Sequence, residues 1–342
     1  MNGTPGDLGT TIEVGSTGWD LKRPVLAGAC DHGCPWGEIA NYVRDAMVPL
    51  GYDVLIARNG NGLKGPGLVS RAGITPPLSE HDIVVGTTAR FDAPVDFGVV
   101  DALFLWEAYH GVYMWEKDGG FPNLRLIARL DDPMYILAAT PVGSGVESIE
   151  QLAAIERPLR VLTDGEPTSI ALLESVGVRR DDVEAAGGAY LPLDFLQPLP
   201  AAPGDYDVVV GSIASPAQNP ESRNWTVLTH RDELRFLDLP DATRAALVSD
   251  FGLFDVTAKW GLLNGMDRPI RTVAKNGTSI FAREDTPDAD AYAVAKAISN
   301  ARAELVWYIR PYSYDPNTAW INGDVPLHPG ARRYYEEQGA LR

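Results

Sequence analysis

Cys30-Asp31-His32-Gly33-Cys34-Pro35 places two thiols and an imidazole where an apolar run gives way to a helical pattern. Proline lacks an amide hydrogen and suits the first position of a helix, where that hydrogen has no partner. Cys34 therefore stands at a helix N-terminus, whose dipole and free N–H groups favour the thiolate. That is the form in which cysteine attacks an electrophile. His32, or His110 farther along, is the base within reach of such chemistry, and Cys30 stands nearer the strand end. The plain alternative is a small apolar residue filling a turn. Cys30, His32 and Cys34 also form a Cys-x-His-x-Cys set, but zinc needs a fourth ligand, so neither metal nor other cofactor is expected.

An acidic substrate needs a cationic or N–H-rich counterpart. Arg71 offers a planar bidentate fork for a carboxylate or sulfinate, weighed against an ordinary surface salt bridge. Gly73, Gly33 and Cys34 can supply backbone N–H groups to a developing oxyanion. Asn61 lies in the Gly/Asn-rich run from Arg58 to Gly67, where a backbone can approach a ligand closely, with Arg58 and Lys64 as further cations. Thr168 and Ser169 sit where Thr163-Asp164-Gly165-Glu166-Pro167 turns into a helix. There they hydrogen-bond an anion or simply cap the helix, while the two added carboxylates disfavour a strongly anionic group. Trp106, Tyr109, His110 and Tyr113, between Phe104 and Trp115, line an aromatic pocket or pack the core. His328 between two prolines reads as a cap. The Asp-Asp pairs at 131–132 and 181–182 read as solvated turns.

The elements that position these residues alternate between strand and helix. Pro24–Ala29 is a strand, and Ile39, Tyr42, Val43, Ala46, Met47 and Leu50 make one helical face that Gly51 ends. Tyr52–Ala57 is the next strand, so the pair is parallel with a right-handed crossover. Asp101–Trp115 is expected as a buried helix. Leu124–Leu130 and Tyr135–Ala139 are expected as two strands, and Ile270–Val273 with Thr278–Phe281 as a return crossing. A helix is expected from Asp288 to Tyr308. The pattern predicts an α/β protein.

The chain has 342 residues and a formal charge of −17. That length suits two lobes, and that charge repels nucleic acid and anionic membrane, excluding both as partners. No apolar run reaches the roughly 18 residues that span a bilayer, so no direct membrane insertion is expected. The polar start Met1-Asn2-Gly3-Thr4 carries no export pattern, which predicts a cytoplasmic protein, or an extracytoplasmic one if an export segment was removed.

Val325-Pro326-Leu327-His328-Pro329-Gly330-Ala331-Arg332-Arg333-Tyr334-Tyr335-Glu336-Glu337 resembles the closing signature of the TAXI-type solute-binding proteins of TRAP transporters. The resemblance extends over roughly residues 24–342. It implies a two-lobed type II periplasmic-binding-protein-like fold with a ligand cleft between the lobes. Residues 1–23 would form a polar leader, 24–132 with 274–342 lobe I, and 133–273 lobe II. A second, local resemblance is to the aryl-sulfinate desulfinases, through Cys34-Pro35 and the run Ser70-Arg71-Ala72-Gly73-Ile74-Thr75-Pro76-Pro77-Leu78. The histidine of that family is replaced here by Asn59-Gly60-Asn61-Gly62. Two functions follow. The first is a cytosolic cysteine-dependent hydrolase or lyase that desulfinates, decarboxylates or hydrolyses a small organic acid, aromatic ones included. The second is a receptor without chemistry that delivers an organic acid to a TRAP permease, the only reading in which a permease is a partner. The thiol-bearing turn tilts the expectation toward the enzyme.

Overall fold

The computed structural model describes residues 23–28, 35–58, 65–73, 94–193, 205–214, 223–307 and 312–341. Its first strands and α-helices are β1 (Val25–Gly28), α1 (Pro35–Met47), β2 (Leu55–Arg58), α2 (Gly65–Ser70), β3 (Phe97–Asp101) and α3 (Ala102–His110). The long strand β4 (Leu124–Pro141) leads to β5 (Arg160–Thr163), α4 (Pro167–Ser175), α5 (Arg180–Ala185), β6 (Ala189–Pro192) and β7 (Val208–Ala214). Next come α6 (Arg223–Arg231), β8 (Leu234–Leu237), α7 (Asp241–Phe251) and β9 (Phe254–Ala258). A second long strand, β10 (Ile270–Arg283), precedes α8 (Asp288–Asn300) and α9 (Pro329–Glu337). Two compact units result: Met1–Asp131 with Gly277–Arg342, and Asp132–Asn276.

In the first unit the strand order is β2-β1-β3-β10. β1 pairs in parallel with β2 (Val25↔Leu55) and with β3 (Leu26↔Phe97), and β10 runs antiparallel to β3 (Thr278↔Asp101). A parallel pair needs a crossover, and α1 supplies it. Pro35 occupies its first position, and Ile39, Ala40, Tyr42, Val43 and Met47 are buried. Burying each larger side chain stabilises the unit by roughly 1.5–3 kcal/mol. Gly51 closes the following turn in the left-handed region, its N–H donating to Val48 O at 3.0 Å.

The C-terminal signature is structural. His328 is fully buried at the start of α9, and its Nδ1 accepts from Gly330 N–H at 3.2 Å. A Cβ on Gly330 would lie 2.1 Å from Asp288 O, so only glycine lets α9 meet the start of α8. Burial pushes the His328 pKa below its ordinary 6.5, despite the opposing charge of Asp288. The folded state therefore binds this proton less readily than the unfolded chain. The associated stability is full above pH 6.5 and is lost as pH falls below it. Urea denaturation across that range should show a decline that is shallower in His328→Asn, even though the variant starts from a lower stability.

In the second unit the order is β6-β5-β7-β4. β5 is parallel to β6 (Arg160↔Ala189) and to β7 (Val161↔Val208), while β4 is antiparallel to β7 (Met134↔Ala214). β8 extends from β4, and β9 from β10. Its core gathers Leu162, Val209, Ile213, Trp225, Phe236 and Ala274. The same pattern thus occurs twice: second, first and third strands parallel, then one antiparallel. This is the two-lobed, periplasmic-binding-protein-like α/β architecture.

Three local expectations need correction. Leu124–Leu130 and Tyr135–Ala139 are one strand, β4, and the Asp131-Asp132 pair lies inside it. Asp131 accepts from Arg129 Nη2 at 2.8 Å and exchanges backbone hydrogen bonds with Ser313, while Asp132 is buried. The expected helix Asp101–Trp115 breaks at Gly111, where φ is 71° and a Cβ would meet Gly120 N at 2.3 Å. The helix expected to reach Tyr308 ends at Asn300 and gives way to a 3₁₀ segment, Arg302–Trp307.

Candidate functional site

In open α/β sheets a ligand sits outside the carboxyl ends of the strands, where the strand order reverses. In the second unit that point lies between β5 and β7. β5 ends at Thr163, and the chain turns through Asp164, Gly165 (φ 71°) and Glu166 into α4, with Pro167 at its first turn. The turn is held locally: Gly165 N–H donates to Thr163 Oγ1 at 3.2 Å, and Glu166 N–H to Asp164 Oδ1 at 3.1 Å.

β7 completes the group. Ser212 N–H donates to Asp164 Oδ2 at 2.6 Å, and Ser212 Oγ donates to Glu166 Oε2 at 3.2 Å. Gly211 makes this approach possible, since a Cβ there would lie 3.2 Å from Asp164 Oδ2. From β10, the Lys275 ammonium forms an ion pair with Glu166 Oε2. Lys275 is only 8% exposed, so its charge is screened little by solvent.

Asp164 is held above the ordinary carboxylate range by burial, then by the charge of Glu166. The N–H groups of Ser212 and Glu166 and the Ser169 hydroxyl oppose the rise. Thr168 and Ser169, 2% and 0% exposed, lie in the first turn of α4. Neither hydroxyl has a partner at hydrogen-bonding geometry. The Ser169 hydroxyl nonetheless lies close enough to Asp164 to act on it as a hydrogen-bond donor, which leaves the Thr168 hydroxyl, among the described residues, as the one without such a neighbour. The capping role open to these two residues is not the one they take: Glu166 is the N-cap residue, and no side chain caps the helix.

In the first unit the reversal lies between β1 and β3. Trp36 Nε1 donates to Asp101 Oδ1 at 2.7 Å and so ties the start of α1 to the start of α3. The Asp101 carboxylate does not cap α3. Trp36 also meets Phe104 edge-on, with ring centroids 5.8 Å apart. Cys30, His32, Gly33, Cys34 and Asn61 lie outside the described residues.

The other expected site residues are placed as follows. Arg71 forms an ion pair with Asp118, stacks 4.9 Å over the Phe121 ring and exposes 57% of its side chain. This is the surface-salt-bridge arrangement, so Arg71→Ala should cost less than about 1 kcal/mol and leave ligand affinity unchanged in a binding titration. The Gly73 N–H donates to Leu68 O at 2.9 Å, closing the end of α2, and is therefore engaged. Trp106 Nε1 and His110 Nε2 both meet Asp324 Oδ1, at 3.1 and 2.8 Å. Burial alone would raise the Asp324 pKa, but the hydrogen bond and charge of His110 hold it low. Tyr109 packs edge-on against His110, and Tyr113 is exposed with φ 55°. His110 ends α3, nine residues past Asp101, or about 13 Å along the axis. The structure does not bring it to the carboxyl end of β3.

Lys275 and Ser212 are absent from the expected site. Their only sequence signals are a lysine within the apolar run Ile270–Phe281 and a serine ending the run Val208–Gly211.

Among the described residues no group of three or more His, Cys, Asp or Glu is placed to hold a metal, and no helix is long and apolar enough to cross a membrane.

The fold resembles solved structures of solute-binding proteins. A TctC solute binding protein from Polaromonas shares 12% identity over 86% of this chain and 90% of its own, with a TM-score of 0.45. The periplasmic aliphatic sulphonate binding protein SsuA from Escherichia coli shares 12% identity over 92% and 87%, with a TM-score of 0.40. A TRAP periplasmic solute binding protein from Ochrobactrum anthropi shares 12% identity over 83% and 76%, with a TM-score of 0.38. Residues 92–339 match the NMT1-like family, and the chain belongs to that family.

Proposed function

We propose that this protein binds a small organic solute without transforming it, as the ligand-binding component of a transport system. The observation that carries the reading is the reversal point of the second unit. A carboxylate pair and a buried lysine meet there beside an uncapped helix start, whose first turn holds two buried hydroxyls without a well-formed hydrogen bond. Unsatisfied buried hydroxyls cost stability, and their presence at a helix start is explained if a ligand supplies the missing partners. The C-terminal signature supports the finer TAXI-type reading, with a TRAP permease as partner and a location outside the cytoplasmic membrane. Cell fractionation and a pull-down with the permease test these two points.

Binding is tested by thermal-shift and calorimetric titration against a panel of monocarboxylates, dicarboxylates and amino acids. Thr168→Val with Ser169→Ala should weaken binding of the best member about tenfold or more. Stability should be unchanged or raised by about 1 kcal/mol, because two unpaired polar atoms are removed. A large loss of stability with unchanged affinity would assign the hydroxyls to the core instead.

The catalytic reading rests on Cys34. Under the present proposal Cys34→Ser retains full ligand affinity, and the bound solute is recovered chemically unchanged after prolonged incubation. Recovery of a cleaved or desulfinated product by mass spectrometry, lost in Cys34→Ser, would restore the enzyme.

A further inference from the structure

The loop between β9 and β10 holds a group whose chemistry is separate from solute binding. Leu263 and Met266, 5% and 3% exposed, anchor the loop in the core of the second unit, and Gly261 N–H donates to Met266 O at 2.9 Å. Between the anchors Asn264 is exposed, and Gly265 follows it in the left-handed region with φ 80°. Asn264 Nδ2 donates to Thr229 O at 2.7 Å. Thr229 lies in the last turn of α6, where carbonyls have no partner within the helix. Asn264 therefore caps α6 from outside, and it does so through its amide hydrogens.

We propose that Asn264 is a site of spontaneous deamidation, and that the conversion turns this cap into a repulsive contact. The Gly265 amide nitrogen attacks Asn264 Cγ. The N–Cγ bond forms, the Cγ–Nδ2 bond breaks, and ammonia leaves with the Gly265 amide proton. Water then opens the cyclic imide at either carbonyl, giving aspartate or isoaspartate. Glycine obstructs the attack least, because it has no Cβ, and an exposed turn reaches the reactive geometry with little else moving. Asn322-Gly323 has the same sequence in another setting. Asn322 is 1% exposed, and its Nδ2 donates to Ala102 O at 3.0 Å and to Ser279 Oγ at 3.4 Å. Its conversion first requires that packing to open. The product at position 264 is a carboxylate, an acceptor with no donor. It would face the Thr229 carbonyl at the negative end of the α6 dipole. Arg231, a cation of that turn, is already paired with Asp232.

The test incubates the intact folded protein in mildly alkaline buffer at physiological temperature and maps its peptides by mass spectrometry. The amide-to-acid mass gain should appear at Asn264 about tenfold or more faster than at Asn322. In urea the two rates should converge. Equal rates in the folded protein, or conversion of Asn264 only after unfolding, overturn the modification. Both sites are compared within wild type, so no variant has to fold for this result. The consequence is read from two variants by urea denaturation. Asn264→Asp should lower the midpoint further than Asn264→Ala, because alanine removes the bond to Thr229 O without adding a charge. Equal midpoints would show that the carboxylate is not repelled there, and would overturn the second half of the proposal. None of these outcomes depends on the solute.

Discussion

Lys275→Met should destabilise the second unit by about 2 kcal/mol and weaken solute binding at the same site. Removing one partner of a fully buried pair costs roughly 3–5 kcal/mol, because the other charge is left without compensation. The figure is lower here because the Glu166 side chain is 39% exposed and regains some hydration. Methionine keeps the apolar stem, so lost packing contributes little. The consequence extends to Asp164, which already sits against the charge of Glu166. With the ammonium gone, two carboxylates share the turn unopposed. Glu166→Gln in the Lys275→Met background should recover most of the loss. A double-mutant cycle by urea denaturation should return a coupling of about 1–3 kcal/mol. A neutral Lys275→Met would mean that the pair does not organise the turn.

The pH dependence carries a matching sign. Asp164 has a folded pKa above its unfolded value of 3.8, so its contribution is present below that value and is lost as pH rises through the folded pKa. Losing the Asp164 proton in the folded state therefore opposes folding, because burial and the charge of Glu166 disfavour the carboxylate. His328 acts in the opposite direction, over the range below 6.5.

Gly277→Ala should be the most damaging single substitution, at about 4 kcal/mol or complete loss of folding. Its φ is 88°, and a Cβ would lie 1.9 Å from Leu130 O and 2.9 Å from Leu130 C, both backbone atoms that cannot swing aside. The left-handed conformation alone costs a residue with a Cβ roughly 1–2 kcal/mol. Gly119 separates the two causes. Its φ is 76°, but nothing lies within 4 Å of a Cβ there. Gly119→Ala should therefore cost only the conformational part, about 1 kcal/mol, by thermal or urea denaturation. Similar losses at the two positions would show that the approach of β10 to Leu130 O relaxes freely.

What was legible in the sequence was local. Pro35 opens α1, and the stripe Ile39, Tyr42, Val43 and Met47 is buried as its spacing requires. The turn Thr163–Ser169 enters a helix, and His328 caps α9. Misread features depended on distant partners. Asp131-Asp132-Pro133 has the composition of a turn, yet Asp131 is held in β4 by Ser313, far along the chain. Arg71, open in the sequence to an anion contact or a surface salt bridge, has its position set by Asp118 and Phe121, which no local pattern reveals. The chemistry of the site was hidden for the same reason. Asp164 and Glu166 read alone as a deterrent to anions, and only Ser212 and Lys275, 48 and 109 residues away, show how they are held.

Titration calorimetry of wild type and of Thr168→Val with Ser169→Ala, using the tightest-binding solute of the panel, tests the central claim most directly. The account predicts a drop in affinity of about tenfold or more, with urea-denaturation stability unchanged or slightly higher. Equal affinity in the two proteins would place the solute elsewhere and contradict it.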